Sequence, residues 1–143
     1  MSMLKSIDKF KELIFERGFF YYLSQFYFPY VREYTLEKKK LIAQEAKKIE
    51  AKTVLDFGCA IGHLSPLFAS GVYLGVDINK NYIQYARRKY KDKQFEIITD
   101  EKLPVQDGSI DLILCLGTIH HIDDTSVRYI LDRFMKKLKK NGR

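Results

Sequence analysis

The amino-acid sequence predicts an α/β fold, in which a doubly wound parallel sheet is covered by helices on both faces. Three observations indicate this fold class. From residue 53 onward, short apolar segments alternate with segments of helical periodicity. The apolar segments are nearly free of polar residues, as is typical of parallel strands that are buried on both faces. A glycine-rich turn over residues 58–62 links the first strand to the next segment.

The predicted elements follow one another at the spacing of strand–helix–strand units. Strands are predicted over residues 53–57, 72–76, 95–99 and 110–116. A short helix is predicted over residues 63–70, a second helix after the capping residue Asn79, and an amphipathic helix that begins at Asp123 or Asp124.

The first fifty residues are predicted to form a helical cap, 1–50, ahead of the sheet domain, 51–143. Apolar residues recur at helical spacing after Thr35, which is the predicted N-cap. An aromatic cluster over residues 19–34 precedes this helix, and Pro29 interrupts any long helix through the cluster. The cluster is predicted either to cover the ligand site of the sheet or to pack as ordinary core.

Composition and charge limit the class of protein. The net charge of +7 permits an anionic partner, but the basic residues are spread along several helices, so we predict no specific nucleic-acid binding. Two cysteines, Cys59 and Cys115, are too few for a disulfide framework. No secretory signal or membrane-spanning segment is visible in the sequence, so we expect a cytoplasmic protein.

The residues that carry chemistry follow the first two strands. In open parallel sheets, ligands bind beyond the carboxyl ends of the strands, and glycines there let a ligand approach the backbone. A dinucleotide-binding G-x-G-x-x-G turn would need its last glycine at His63, which does not fit. Asp77 ends the second strand about twenty residues after Gly58, the spacing of a ribose-binding carboxylate. The alternative is that Asp77 caps the next helix, although Asn79 can serve as that cap.

The stretch from Asp56 to Gly62 resembles the acidic residue and G-x-G-x-G turn of class I S-adenosylmethionine-dependent methyltransferases, with Ala60 at the middle glycine. The run D-G-S-I-D-L-I-L over 107–114 is similar to the approach to strand four in their type 11 subgroup. The resemblance covers residues 53–143. It implies a Rossmann-like sheet of order 3-2-1-4, S-adenosyl-L-methionine as the cofactor, and no metal. The cofactor contacts that it implies are Asp56, Gly58, Cys59, Ala60, Gly62, Asp77, Ile78, Asp100, Glu101 and Leu116.

Two further roles depend on the resemblance. In the family, an acidic residue after strand three meets the adenine amino group, and Asp100 occupies that place; a solvated turn is the alternative. The loop after strand four borders the methyl donor and the acceptor, so His120 or His121 could take a proton from the acceptor. The alternative is that these histidines hold the loop while methyl transfer proceeds through positioning and desolvation.

The substrate class is narrowed by what the sequence lacks. The (N/D)-P-P-(Y/F) signature of adenine- and cytosine-amino methyltransferases is absent, because residues 116–119 read L-G-T-I. The resemblance therefore implies methyl transfer to an O or N atom of a small-molecule acceptor. A cofactor-binding fragment without turnover and an RNA methyltransferase remain alternatives.

The family sheet has seven strands, of which this chain supplies the first four in sequence. We therefore expect the fold to be incomplete at its carboxyl terminus. Strand four lies between strands one and five in the family, so here it is expected to present a free apolar edge. Homodimerisation through that edge is predicted.

Overall fold

A computed structural model of the protein describes residues 29–69, 71–99, 102–118 and 123–143. The strands are β1 (Thr53–Phe57), β2 (Val72–Asp77), β3 (Gln94–Ile97) and β4 (Leu112–Leu114). The helices are α1 (Pro29–Lys48), α2 (Lys80–Lys89) and α3 (Asp124–Lys137), with one 3-10 turn at Ser65–Leu67. Within these ranges, every helix is too short or too polar to cross a bilayer.

The four strands form one parallel sheet in the order β3-β2-β1-β4, which confirms the predicted fold class and strand order. Asp56 near the end of β1 lies opposite Gly75 of β2 and Leu114 of β4. The carboxyl ends of these three strands therefore meet at one edge of the sheet, where ligands of such sheets bind.

The core consists of two apolar layers, one on each face of the sheet. On one face, Val54 and Phe95 pack with Ile83 and Ala86 of α2, and the layer is extended by Ala46 of α1. The layer on the opposite face contains Leu55, Phe57, Leu74, Val76 and Phe134 of α3. Neighbouring residues of β1 thus point to opposite layers, as the pleat of a strand buried on both faces requires.

One predicted helix start and one predicted helix are wrong. Thr35 is not an N-cap: it lies inside α1 with 2% of its surface exposed, because the helix begins earlier, at Pro29. Proline fits the first helical position, where its missing N–H would have no partner in the helix. Of the predicted helix over 63–70, the described residues 63–69 contain only the 3-10 turn at Ser65–Leu67, since Pro66 has no N–H to donate and Leu67 N donates to Leu64 O.

Two other helix starts follow the sequence signals. Asn79 caps α2, and its side-chain oxygen accepts hydrogen bonds from Asn81 N and Tyr82 N. Asp123 caps α3 in the same way, through Thr125 N and Ser126 N. Both predicted N-caps are confirmed.

The outer edge of β4 is partly occupied by the end of the same chain. Lys139 N donates to Ile110 O (2.8 Å), Arg143 N donates to Asp111 O (2.9 Å), and Ile113 N donates to Arg143 O (2.7 Å). The backbone can approach this closely at Gly142, where a Cβ atom would lie 2.8 Å from Ile110 O. The expectation of an edge open along its whole length is therefore wrong for residues 110–113, whereas self-association stays a prediction.

Candidate functional site

The glycine-rich turn after β1 is fastened to the end of β2. Gly58 N and Cys59 N both donate to Val76 O, at 2.8 and 3.0 Å. Gly58, Ala60 and Gly62 have positive φ angles of 75°, 48° and 73°. This conformation costs a residue with a Cβ atom about 1–2 kcal/mol. Ala60 therefore holds a strained backbone, at the position where the resembling family has a glycine.

The two glycines of the turn are required by the packing of the protein itself. A Cβ atom at Gly62 would lie 2.5 and 2.6 Å from ring atoms of Phe95. A Cβ atom at Gly58 would collide with the Thr118 side chain. These glycines were predicted from the approach of a ligand to the backbone. Their contacts with Phe95 and Thr118 were missed, because both residues are distant in the chain.

Asp77 holds the turn from the neighbouring strand. Its Oδ2 accepts a hydrogen bond from Ala60 N (2.9 Å), and its Oδ1 accepts one from Asn79 N (2.8 Å). Since each carboxylate oxygen can accept two hydrogen bonds, both retain capacity for a ligand. The alternative role of Asp77, as the side-chain cap of α2, is taken by Asn79.

Asp56 is a buried acid beneath the turn, with 2% of its surface exposed. The hydroxyl of Tyr73 donates to Asp56 Oδ2 at 2.5 Å. Burial raises the pKa of Asp56 to about 7, against the lowering effect of the Tyr73 hydrogen bond, and the charge of Asp77 raises it further. The carboxyl group is therefore expected to ionise near neutral pH.

A cleft of about 550 Å³ lies over the carboxyl ends of the strands. This volume is in the range of small-molecule sites. Its walls are Lys38, Asp56, Phe57, Gly58, Cys59, Ala60, His63, Leu64, Asp77, Ile78, Asn79, Tyr82, Ile98, Leu116, Gly117 and Thr118. The structure thus brings most of the predicted contact residues together, while Gly62 packs beneath the turn and does not line the cleft among the residues described.

Some of the predicted site residues lie outside the described residues. These are Asp100, Glu101, His120 and His121, so their proposed roles stay predictions. The same holds for residues 19–28 of the aromatic cluster.

Two basic side chains of the cleft were missed in the sequence analysis. Lys38 reaches the cleft from α1 and is half-buried, with Nζ 4.3 Å from the centroid of the Tyr34 ring. His63 follows the glycine turn directly; burial, with the charges of Lys39 and Lys38, lowers its pKa to about 4. The adjacency of His63 to the turn was a usable signal. Lys38 had none, because only the packing of α1 on the sheet brings it near.

A larger cleft, of about 870 Å³, lies at the opposite edge of the sheet. It is lined by residues at the amino ends of β1 and β2, among them Thr53 and Val72, and by Ala46 of α1. The smaller cleft is the candidate site, because it joins the strained turn, a buried acid and a partly free carboxylate at the carboxyl edge.

The raised pKa of Asp56 predicts that its contribution to stability falls as the pH rises. Its folded pKa is about 7, above the ordinary 3.8, so the protonated form is favoured by folding. That contribution is complete below about pH 4 and is lost as the pH rises through about 7. Asp56→Asn keeps an oxygen for the Tyr73 hydroxyl but cannot ionise. We expect urea unfolding at about pH 5 and pH 8 to show a smaller loss of stability in the variant than in the wild type.

The wild type is the control for other titrating groups in this range. His63, whose pKa is lowered to about 4, titrates in both proteins, so its contribution cancels in their difference. Equal pH dependence in the two proteins would contradict a buried, proton-exchanging Asp56.

Sequence comparison supplies relatives for most of the sheet domain. The profile of a methyltransferase domain family matches residues 54–142. The uncharacterized methyltransferase YcgJ of Bacillus subtilis (strain 168) is 34% identical over 97 residues, 63% of this chain and 38% of that protein. Phosphoethanolamine N-methyltransferase of Triticum aestivum is 28% identical over 74% of this chain and 22% of its own length. Fatty-acid O-methyltransferase of Mycolicibacterium smegmatis is 30% identical over 50% of this chain and 28% of its own length.

Solved structures extend the likeness to three dimensions. The crystal structure of YcgJ superposes with a TM-score of 0.63 at 28% identity, over 74% of this chain and 47% of that one. The structure of PKMT2 from Rickettsia typhi in complex with AdoHcy gives a TM-score of 0.56 at 26% identity, over 66% of this chain and 20% of that one. The chain thus spans less than half the length of these relatives. Because the family profile covers residues 54–142, the greater part of the chain, this protein belongs to the methyltransferase domain family.

Proposed function

We propose that this chain binds S-adenosylmethionine in the carboxyl-edge cleft and transfers its methyl group to an O or N atom of a small molecule. The observation that carries the proposal is the convergence of the strained turn, Asp56 and Asp77 on one cleft, inside the region that matches the family. The complex of PKMT2 with AdoHcy supports the choice of cofactor.

The residues of the cleft fit the chemical groups of S-adenosylmethionine. The remaining acceptor capacity of Asp77 suits the two ribose hydroxyls. Next to it, Ile78 is 78% exposed and offers an apolar surface for the face of the adenine ring. Ile78 and Leu116 are exposed apolar side chains at the rim, which a flat apolar ligand would cover.

The ionisation of Asp56 is sensitive to a positive charge bound in the cleft. A cation above this buried carboxyl group favours its ionised form, so the ligand and the proton compete. When bound, the cofactor supplies an electrophilic methyl group on a positively charged sulfur. The work left to the protein is to orient the donor, exclude water and hold the acceptor in line.

The class of acceptor is supported by the relatives. One is named a phosphoethanolamine N-methyltransferase and another a fatty-acid O-methyltransferase, so both N and O acceptors occur among them. We therefore propose a small molecule with an amine, hydroxyl or carboxylate as the acceptor.

The test is the formation of S-adenosylhomocysteine from S-adenosylmethionine with phosphoethanolamine or a long-chain fatty acid as acceptor. We expect product that depends on an added small O or N acceptor. Cofactor binding without product in the presence of either acceptor would contradict the proposed transfer and favour a binding function. Absence of cofactor binding would overturn the whole proposal.

A further inference from the structure

Among the described residues that line the carboxyl-edge cleft, acidic side chains outnumber positively charged ones. Two are carboxyl groups, Asp56 and Asp77, and among the described lining residues Lys38 is the single side chain with a positive charge at neutral pH. His63 also lines the cleft but is neutral there, because burial lowers its pKa to about 4. Among the described lining residues, a negatively charged group of a ligand therefore has a positively charged partner only in Lys38.

The ligand of the proposed function carries such a group. The amino-acid end of S-adenosylmethionine bears an ammonium group and a carboxylate, and the carboxylate is the group that Asp77 would repel. We propose that Lys38 binds this carboxylate, so that α1 supplies a cofactor-binding residue from outside the matched region 54–142. This inference rests on the proposed function, since it assigns one end of the same ligand.

The surroundings of Lys38 favour a strong contact. The side chain is half-buried, and its ammonium group lies 4.3 Å from the centroid of the Tyr34 ring. The ring restricts the flexible lysine stem and attracts its charge, which lowers the entropy lost when an anion is bound. An ion pair in a partly desolvated cleft is also screened less than one on an open surface.

His63 completes the wall beside this cation. Its Nδ1 is buried and has no hydrogen-bond partner among the residues that the structure describes. Because burial and the charges of Lys39 and Lys38 lower the pKa of His63 to about 4, the imidazole is neutral and adds no positive charge to the wall. In the part of the lining that the structure describes, Lys38 is therefore the one cation available to an anionic group.

The experiment compares two ligands that differ at the amino-acid end. S-adenosylhomocysteine has the α-carboxylate and the α-ammonium group, whereas 5′-methylthioadenosine keeps the adenine, ribose and thioether but lacks both charged groups. Calorimetry would measure both ligands on the full chain, on Lys38→Met and on Lys38→Arg. Methionine keeps an unbranched stem that can pack on the Tyr34 ring, and arginine keeps the charge. Lys40→Met is the matched control, because Lys40 lies exposed on the same helix and its substitution removes the same charge.

We expect Lys38→Met to weaken S-adenosylhomocysteine binding by about tenfold or more, the usual loss for a hydrogen bond to a charged group. Binding of 5′-methylthioadenosine should be unchanged, Lys38→Arg should recover most of the affinity, and Lys40→Met should match the wild type. Equal weakening of both ligands, or no weakening of either, would overturn the role of Lys38. If the wild type binds neither ligand, it is the proposed cofactor that fails, and the inference fails with it.

Discussion

Asp77→Ala is expected to weaken the binding of S-adenosylhomocysteine by about ten- to a hundredfold. The carboxylate ends β2 at the rim of the cleft, and each of its oxygens keeps capacity for a ribose hydroxyl. Removing a charged hydrogen-bonding partner costs about 1.5–3 kcal/mol, which gives this loss of affinity. Isothermal titration calorimetry on the full chain measures it.

A charge-matched variant separates the local contact from long-range electrostatics. Asp132 is exposed on α3, outside the cleft lining, so Asp132→Ala removes the same charge and should leave the affinity unchanged. Asp77 also accepts hydrogen bonds from the backbone N–H groups of Ala60 and Asn79. The free energy of unfolding of Asp77→Ala should therefore be measured together with its affinity for the ligand. A well-folded Asp77→Ala protein with wild-type affinity would contradict the ribose assignment.

Gly62→Ala is expected to destabilise the fold by about 2–5 kcal/mol. The residue has a φ of 73°, which is strained for alanine, and the added methyl group would lie 2.5 Å from the Phe95 ring. Phe95 is itself buried between the sheet and α2, so the ring has little room to move. Against a total stability of about 5–15 kcal/mol, typical of single domains, this is a large loss. Urea unfolding measures it.

Gly108→Ala is the matched control for backbone strain. Gly108 has a similar φ of 64°, but no atom lies within 4 Å of the Cβ position. Its loss should therefore be limited to the strain, about 1–2 kcal/mol. Equal losses in the two variants would show that the contact with Phe95 contributes nothing.

The sheet could be predicted from the sequence because its signal is local. Residues 110–116 form a nearly unbroken apolar run, and a strand buried on both faces requires such a run. Asn79 and Asp123 could be identified as caps for the same reason, since a cap bonds to N–H groups two and three residues ahead. The turn and Asp77 were found from their spacing along the chain.

The features that sequence analysis missed depend on contacts between distant residues. Nothing near Lys38 indicates that α1 brings it to the cleft. The packing of Gly62 against Phe95 joins two segments that are far apart in the chain. The pairing of Arg143 with Ile113 also has no local signature, since it depends on where α3 ends. Local patterns in the sequence therefore located the glycine-rich turn and Asp77, whereas the position of Lys38 depends on tertiary packing.

The central claim, that the carboxyl-edge cleft is the cofactor site, is tested most directly by titrating the ¹⁵N-labelled chain with S-adenosylhomocysteine and following the amide resonances. The two clefts lie at opposite edges of the sheet, so each has its own reporters. We expect large shifts at Gly58, Ala60 and Ile78, which line the smaller cleft, and none at Ala46 and Val72, which line the larger one. Shifts confined to Ala46 and Val72, or no shifts at millimolar ligand, would contradict it.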